Sequence, residues 1–308
     1  MKNGEQGKSR LLITGVTGLL GNTLVREAAP SSYEVLGIAR QPAKAVPPCA
    51  AQAADILDAN ALEKIISSFQ PNIVVHTAAM TSVDRCQADP QMAELINVKG
   101  TENLLRCLTD SPCRFVFLST DSVFDGRKGN YTEEDPVAPL HVYGKTKRKA
   151  EELILKERPK SSLIIRTAFY GWNVLPDNNS LAEWILSNLQ EGKPFKGFVD
   201  LLFSPILTNH LAQGILDLAD QPVSGIVHLA GSEGCSKYEF ARQLASLFGF
   251  RQELIIPVES RNVKLKVTRP RDVTLNVEKA QQLLERPMPG LLDGLRLFQA
   301  LKQAVTTS

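Results

Sequence analysis

The apolar run Arg10 to Thr14 leads directly into three glycines spaced three apart, Gly15, Gly18 and Gly21, and then into a helical pattern from Leu19 to Ala28. A strand that must become a helix within so few residues needs a tight, glycine-permitted turn, and this commits the chain to a β-turn-α start. Gly15 permits the bend, Gly18 lets backbone come close to a pyrophosphate, and Gly21 lets the helix pack against the strand. The first N–H groups of the helix then face a phosphate. The same spacing also suits a plain strand-to-helix turn with no ligand.

Downstream, short Val/Ile/Leu runs alternate with helical patterns. Glu34 to Ala39 precedes a loop within Gln41–Ala53 and a helix from Ala59 to Phe69 begun by Asp58; Ile73 to His76 precedes a helix from Met92 to Leu108. Arg114 to Ser119 precedes a helix carrying Tyr143, and Ser162 to Arg166 follows. Nearly continuous apolar strands alternating with helices predict an α/β chain of Rossmann type, a doubly wound parallel sheet covered on both faces. Residues 1–170 form the nucleotide-binding domain in this reading, with a later strand near 226–230 returning to it. Residues 171–308 form most of a smaller C-terminal α/β substrate lobe, with helices near Leu181–Glu191, Lys237–Phe248, Val277–Leu284 and Leu291–Ala304. Such a lobe sits where open α/β sheets bind ligands, at the carboxyl ends of the strands.

Composition narrows the partners. Thirty-five basic and 33 acidic side chains in 308 residues give a net charge of +2. No basic cluster is long enough for a nucleic-acid or membrane-surface footprint. The N-terminal apolar run is broken by Thr14, Gly15, Thr17 and Gly18, too soon for a signal segment or membrane span, so the cytoplasm is the expected location. Five scattered cysteines without C-x-x-C spacing indicate reduced thiols, mostly buried, rather than a disulfide framework or zinc site.

Tyr143 and Lys147 are four apart and share one face of a helix. An ammonium beside a phenol favours phenolate, and bringing a tyrosine from about 10 to near 7 takes roughly 4 kcal/mol. Phe115-Val-Phe-Leu-Ser119-Thr120-Asp121 is an apolar strand ending in hydroxyls, of which alternation lets only one face a cofactor. A hydroxyl there can hold a carbonyl while Tyr143 gives the proton and a nicotinamide gives hydride. The second strand ends Gly37-Ile38-Ala39-Arg40, with no acid for the ribose hydroxyls of NAD. Arg40 offers a fork for a 2′-phosphate, which favours NADP, NAD remaining the alternative and a solvated arginine the bland one. Asp55, followed by Ile56, is placed to accept from an adenine amino group.

Together, Gly15-Val-Thr-Gly18-Leu-Leu-Gly21, His76-Thr-Ala-Ala79, Asn97-Val-Lys-Gly100, Ser119-Thr120-Asp121 and Tyr143-Gly-Lys-Thr-Lys147 resemble an extended short-chain dehydrogenase/reductase. Ala78-Ala79-Met80-Thr81-Ser82-Val83-Asp84, Ser119 to Gly126, Pro139 to Lys145 and Arg269-Pro-Arg271 most resemble the dTDP-4-dehydrorhamnose reductase group within it, and the likeness reaches nearly the whole chain. The resemblance implies Thr120, Tyr143 and Lys147 as the catalytic set, with Lys147 also bonding the nicotinamide ribose. It implies cofactor contacts from Gly15, Thr17, Gly18, Leu19, Leu20, Gly21, Arg40, Asp55, Ile56, Ala78, Ala79 and Thr167. Thr81, Val83, Ser122 and Arg271 fall on the substrate side, Arg271 serving a phosphate or a lobe-stabilising ion pair. Asn97 braces the active-site backbone or serves only its helix.

The implied activity is NADPH-dependent reduction of a 4-keto deoxysugar nucleotide, with a homodimer compatible. The group commonly has Tyr where this chain has Ser122, which leaves the sugar open. A related dehydratase branch has Glu there, and Ser122 lacks that acid/base group. Two other readings stand beside this one: a sugar-nucleotide epimerase, and a non-catalytic NADP-binding regulatory subunit resembling the methionine adenosyltransferase beta subunit. His76, His141, His210 and His228 lack ligand spacing and Glu133-Glu134-Asp135 reads as a solvated loop, so no metal is expected.

Overall fold

The structure is a computed structural model that describes residues 8–30, 33–42, 49–173 and 179–306. Part of the loop expected at 41–53 lies outside the described residues.

The first half runs β1 (Ser9–Thr14), α1 (Leu19–Ala28), β2 (Tyr33–Ala39), β3 (Ala50–Ala53), α2 (Ala59–Phe69), β4 (Ile73–His76), α3 (Val83–Ala88), α4 (Pro90–Glu94), α5 (Gly100–Cys107), β5 (Arg114–Leu118), α6 (Val142–Glu157), β6 (Ser162–Arg166) and β7 (Ala168–Tyr170). The second half runs α7 (Leu181–Gln190), β8 (Phe195–Phe198), β9 (Leu202–Phe203), β10 (Pro205–Leu207), α8 (Thr208–Ala219), β11 (Gly225–His228), β12 (Cys235–Ser236), α9 (Lys237–Leu247), β13 (Ile255–Val258), α10 (Glu278–Leu284) and α11 (Leu291–Thr306).

Seven strands form one parallel sheet in the order β11-β6-β5-β4-β1-β2-β3. The order reverses between β1 and β4, which pair through Leu11–Ile73 to Thr14–His76, and the crevice at their carboxyl ends is the ligand-binding position of such sheets. Alternation along each strand divides the core in two. Leu12, Ile38, Val74, Phe115, Phe117 and Ile164 point to one face, where α2, α5 and α6 pack. Leu11, Ile13, Val75, Val116, Leu163 and Ile165 point to the other, under α1 and α8 and toward the second half of the chain.

Several local features depart from the sequence reading. The strand β3 arises at the end of the expected loop. The helix expected from Met92 starts at Pro90, where the Asp89 side chain accepts from Met92 N and proline tolerates the unpaired first position. That helix passes through a wide π-turn at Leu95–Lys99 before α5. Ahead of it, Ser82 caps the short α3, an element the apolar pattern is too short to announce. The twelve-residue α8 is a further addition. It is anchored to α1 by Asn209 Nδ2 donating to Glu27 Oε1 at 2.8 Å.

The second half adds three small two-stranded sheets, β7 with β10, β9 with β12, and β8 with β13. Ser180 and Ser236 begin α7 and α9 as reciprocal capping boxes with Glu183 and Glu239. All five cysteines are free thiols, Cys86, Cys113 and Cys235 buried. Among the described residues no helix is long and apolar enough to cross a membrane.

Candidate active site

Gly15 ends β1 with φ of 75°, in the left-handed region that glycine enters without penalty. Its N–H donates to Ile38 O at 2.8 Å, and its carbonyl accepts from Gly18 N at 2.8 Å, closing the turn. A Cβ at Gly21 would collide with the Gly15 carbonyl, so the close helix approach requires glycine there too. Helix α1 has no side-chain cap and no acid in its first turn, which leaves its amino end electropositive toward the crevice. Thr17 and Leu19 are half-buried, Gly18 is exposed, and Leu20 is turned into the core.

The loop after β4 closes on this turn. Thr77 Oγ1 donates to Thr14 O at 2.7 Å, and Ala78 N donates to Thr14 Oγ1 at 3.3 Å. Ala78 thereby abuts Gly15, with Ala79 beside it and half-buried. Arg40 is exposed at the end of β2. Asp55 Oδ1 accepts from Leu57 N at 3.0 Å, and Ile56 is buried against Gly100. These residues line one edge of the sheet.

On α6, Tyr143 and Lys147 lie at consecutive turns of one face, while His141 begins the helix by accepting from Gly144 N at 3.2 Å. The Lys147 ammonium lies 3.8 Å from the centre of the Phe117 ring. Burial lowers its pKa from 10.5 to about 7, with Glu151 opposing the fall. Thr120, at the end of β5, acts on the Tyr143 phenol and lowers its pKa. Its hydroxyl donates to Asp121 Oδ1 at 3.0 Å and accepts from Ser122 N at 3.1 Å.

The expectation that Lys147 draws the phenol toward phenolate is overturned. Burial pushes the Tyr143 pKa far above its ordinary value; the Thr120 hydroxyl opposes the rise, and the Asp121 carboxylate and Cys86 add to it. A half-buried phenol facing a carboxylate, beside a lysine itself depleted of charge, remains protonated, which suits an acid rather than a base.

Of the paired hydroxyls, Ser119 is the one turned away: its Oγ donates to Glu151 Oε1 at 2.5 Å. Glu151 also receives Arg166 Nε and Nη2 at 2.9 and 2.8 Å, with Glu151 0% and Arg166 1% exposed. This ion pair lies beneath the site and joins α6, β5 and β6. The family resemblance implies that the segment Arg166 to Phe169 approaches the nicotinamide, whereas the Arg166 side chain is spent on this pair; a charged residue ending the apolar run Ser162–Arg166 is its sequence signal. Next to it, Thr167 Oγ1 is buried without a hydrogen-bond partner. An orphaned buried hydroxyl at the crevice, an uncapped helix terminus and a turn that only glycine fits are the features a bound dinucleotide would use.

Asn97, in the π-turn, accepts from Met80 N at 2.8 Å and donates to Met80 O at 3.1 Å and Thr146 Oγ1 at 2.9 Å, tying the Ala78–Thr81 loop to α6. Thr81 is exposed, and Val83 opens α3 half-buried. Ser122 Oγ donates to Asp121 Oδ1 at 3.1 Å. Arg271 is exposed beside a cleft of about 450 Å³ that Arg127 and Arg269 also line. The ion pair nearby belongs to Arg269, whose Nη2 lies 3.1 Å from Asp84 Oδ2. The acidic loop after Asn130 is occupied by protein contacts: Glu133 Oε1 accepts from His228 N at 2.8 Å, and Asp135 is paired with Lys128 at 2.6 Å.

A doubly wound parallel sheet with tyrosine, lysine and a strand-end hydroxyl gathered at its carboxyl edge defines an extended short-chain dehydrogenase/reductase. A family profile described as the RmlD substrate binding domain matches residues 9–300, and the chain belongs to that family. It is 32% identical over 281 residues to the spore coat polysaccharide biosynthesis protein SpsK of Bacillus subtilis strain 168, covering 91% of this chain and 93% of that one. It is 29% identical over 284 residues to the methionine adenosyltransferase 2 subunit beta of Xenopus laevis, covering 89% and 82%. Its fold matches that of a dTDP-4-dehydrorhamnose reductase from Bacillus anthracis strain Ames, solved in complex with NADP, with a TM-score of 0.86 at 24% identity over 96% and 99% of the two chains.

Proposed function

We propose that the chain is an NADPH-dependent reductase that converts the 4-keto group of a deoxysugar nucleotide to a hydroxyl, working in the cytoplasm. The observation that carries this reading is the meeting of Thr120, Tyr143 and Lys147 beside the glycine turn. Residues 1–170 with β11 hold the cofactor in this reading, and most of residues 171–308 close over the sugar. The N–H groups at the start of α1, the backbone of Ala78 and Ala79, and the Thr167 hydroxyl hold the dinucleotide, while Arg40 takes the 2′-phosphate.

NADPH, when bound, supplies the hydride. Thr120 directs its hydroxyl to the carbonyl oxygen, and Tyr143 passes its proton to that oxygen as charge builds there. Lys147 holds the ribose and, when charged, stabilises the phenolate left behind. Thr81, Val83 and Ser122 flank the sugar, and Arg271 meets the phosphates. The family membership and the biosynthetic relative support the reductase class; the sugar itself is the finer part of the proposal.

The test is NADPH oxidation against a panel of 4-keto sugar nucleotides, with Tyr143→Phe alongside. Turnover by the wild type, lost in Tyr143→Phe while NADPH binding persists, is the expected result. Turnover retained by the phenylalanine variant defeats the mechanism, and no turnover on any substrate defeats the assignment.

A second reading has one observation in its favour, the 29% identity to a methionine adenosyltransferase beta subunit. In that case the chain would co-purify with a methionine adenosyltransferase catalytic subunit and reduce no keto sugar. The assembled Thr120, Tyr143 and Lys147 favour the enzyme.

A further inference from the structure

The reduction as described above leaves His76 unused, although it ends β4 at the crevice, opposite Thr14 of β1. Thr14 and Thr101 are 0% exposed and His76 and Asn97 1%, so these groups must satisfy one another. Thr101 Oγ1 lies 2.8 Å from Asn97 O, and a carbonyl only accepts, so the threonine proton is spent there. Thr101 Oγ1, 3.2 Å from His76 Nε2, must then accept, and Nε2 carries the ring proton. Burial, with Lys147 adding to it, lowers the His76 pKa to about 3 and keeps the imidazole neutral, which leaves a lone pair on Nδ1. Thr14 Oγ1 donates to that nitrogen at 2.7 Å, and its own lone pair accepts from Ala78 N at 3.3 Å. The hydrogen bonds therefore run in one direction, from Ala78 N–H through Thr14, His76 and Thr101 to the Asn97 carbonyl.

Both ends of this run are working parts of the site. Ala78 abuts Gly15 in the glycine turn. Asn97 holds the Met80 backbone and Thr146, which stands between Tyr143 and Lys147 on α6. The His76 ring also packs 5.7 Å from the Phe117 ring, whose centre lies 3.8 Å from the Lys147 ammonium. We propose that His76 is a positioning residue: held in a single tautomer, it fixes the cofactor loop at Ala78 relative to the brace under α6, and so sets where the nicotinamide lies against Tyr143. For its effect on turnover this rests on the reductase reading. Histidine suits the task because one neutral ring presents a donor on one side and an acceptor on the other. Neither neighbouring threonine can reverse its bond, since the Asn97 carbonyl and the Ala78 N–H decide the sense at each end. Hydride transfer needs the two reacting partners placed to within a fraction of an ångström, and the run spans the layer between them.

The experiment uses the full-length protein with Thr14→Val, Thr101→Val, the double variant Thr14→Val/Thr101→Val, and His76→Phe, which keeps a ring and removes both nitrogens. Imidazole 15N NMR, calorimetric titration with NADPH, and NADPH oxidation with the best substrate of the panel are measured. In the wild type near neutral pH, His76 is expected as one neutral tautomer protonated at Nε2. Each single valine variant should weaken NADPH by roughly 3- to 10-fold, the scale of one hydrogen bond. The double variant should lose less than the product of the two, because both act through one ring; side chains that only fill space on either side of β4 give independent losses. In His76→Phe, where the run is already cut, adding Thr101→Val should weaken NADPH no further. Thr101→Val should also lower kcat by roughly 10- to 100-fold, the scale of a misplaced reacting group.

A ring protonated at Nδ1, or two tautomers in exchange, overturns the proposal. So do independent losses in the double variant, or wild-type NADPH affinity in Thr101→Val; both are readable even if no substrate is turned over. Wild-type kcat in Thr101→Val overturns it as well. Absence of wild-type turnover, with the single tautomer and the coupled NADPH losses in place, counts against the reductase reading alone and supports the hold of His76 on the cofactor loop.

Discussion

Lys147 and Glu151 stand one turn apart on the buried face of α6, 3% and 0% exposed, with opposite charges out of reach of water. Glu151 faces three cations at once: the Arg166 guanidinium, the Arg148 guanidinium at 3.5 Å and the Lys147 ammonium. Its carboxylate grips Arg166 directly and sustains the charge of Lys147 at a distance, so the active-site lysine owes part of its protonation to an ion pair below it.

This makes the rate of reduction pH-sensitive near neutrality. Burial has lowered the Lys147 pKa to about 7, so the ammonium that holds the ribose and stabilises the phenolate is lost as pH rises through that value. The free-enzyme profile, kcat/KM for the reduction, should fall on the alkaline side with a limb near 7. Glu151→Gln removes the negative charge that opposes the lowering and should move the limb to lower pH. A limb in the same place in both proteins would separate Lys147 from the profile.

The Arg166–Glu151 pair should be costly to break and cheaper to delete. Arg166→Met leaves the buried carboxylate with only the longer contact to Arg148 at 3.5 Å, at a cost of roughly 3–5 kcal/mol. The double variant Glu151→Leu/Arg166→Met removes both charges and should recover a large part of that loss. Urea denaturation of the two variants checks this: a double variant less stable than Arg166→Met would contradict it.

Acid should destabilise the fold earlier than carboxylate titration alone would. Burial, the largest cause in each case, holds His76 and His228 near 3 and His141 near 4. An unfolded histidine takes up its proton near 6.5, so each contributes stability above that pH that is lost as pH falls toward the folded value. Within this window the slope is about 1.4 kcal/mol per pH unit for each histidine. His228→Asn should flatten it, as measured by thermal or urea unfolding between pH 6.5 and 4.

Arg40 should decide between the two nicotinamide cofactors. Charged hydrogen bonds are worth about 1.5–3 kcal/mol, so Arg40→Ala should weaken NADPH roughly 10- to 100-fold and leave NADH nearly unchanged. Titration calorimetry with both cofactors gives the ratio directly. Equal weakening of both would remove Arg40 from the 2′-phosphate.

Elements carried by strong periodicity were legible in the sequence. The ranges of α1, α2 and β4 coincide with the apolar patterns, because these segments pack on the sheet over their whole length. Likewise, Tyr143 and Lys147 share a face simply because a helix repeats every three to four residues. The second half was harder to read. Helix α8 includes Gly214, which fits under Leu229, and small sheets such as β9 with β12 are too short to leave a period. The ionisation of Tyr143 was misjudged because spacing reports neighbours along one helix. Burial and the facing Asp121 are properties of the assembled crevice.

The wide turn at Leu95–Lys99 gives one helical segment two separate tasks. On the turn itself, Asn97 fastens the Met80 backbone and Thr146; one short step later Thr101 reaches His76 Nε2 at 3.2 Å under the sheet. A regular α-helix of the same length would rotate one of these side chains away from its client. The surplus residue in that turn is therefore an adapter between two alignments, and shortening the segment by a single residue would force the chain to give up one of them.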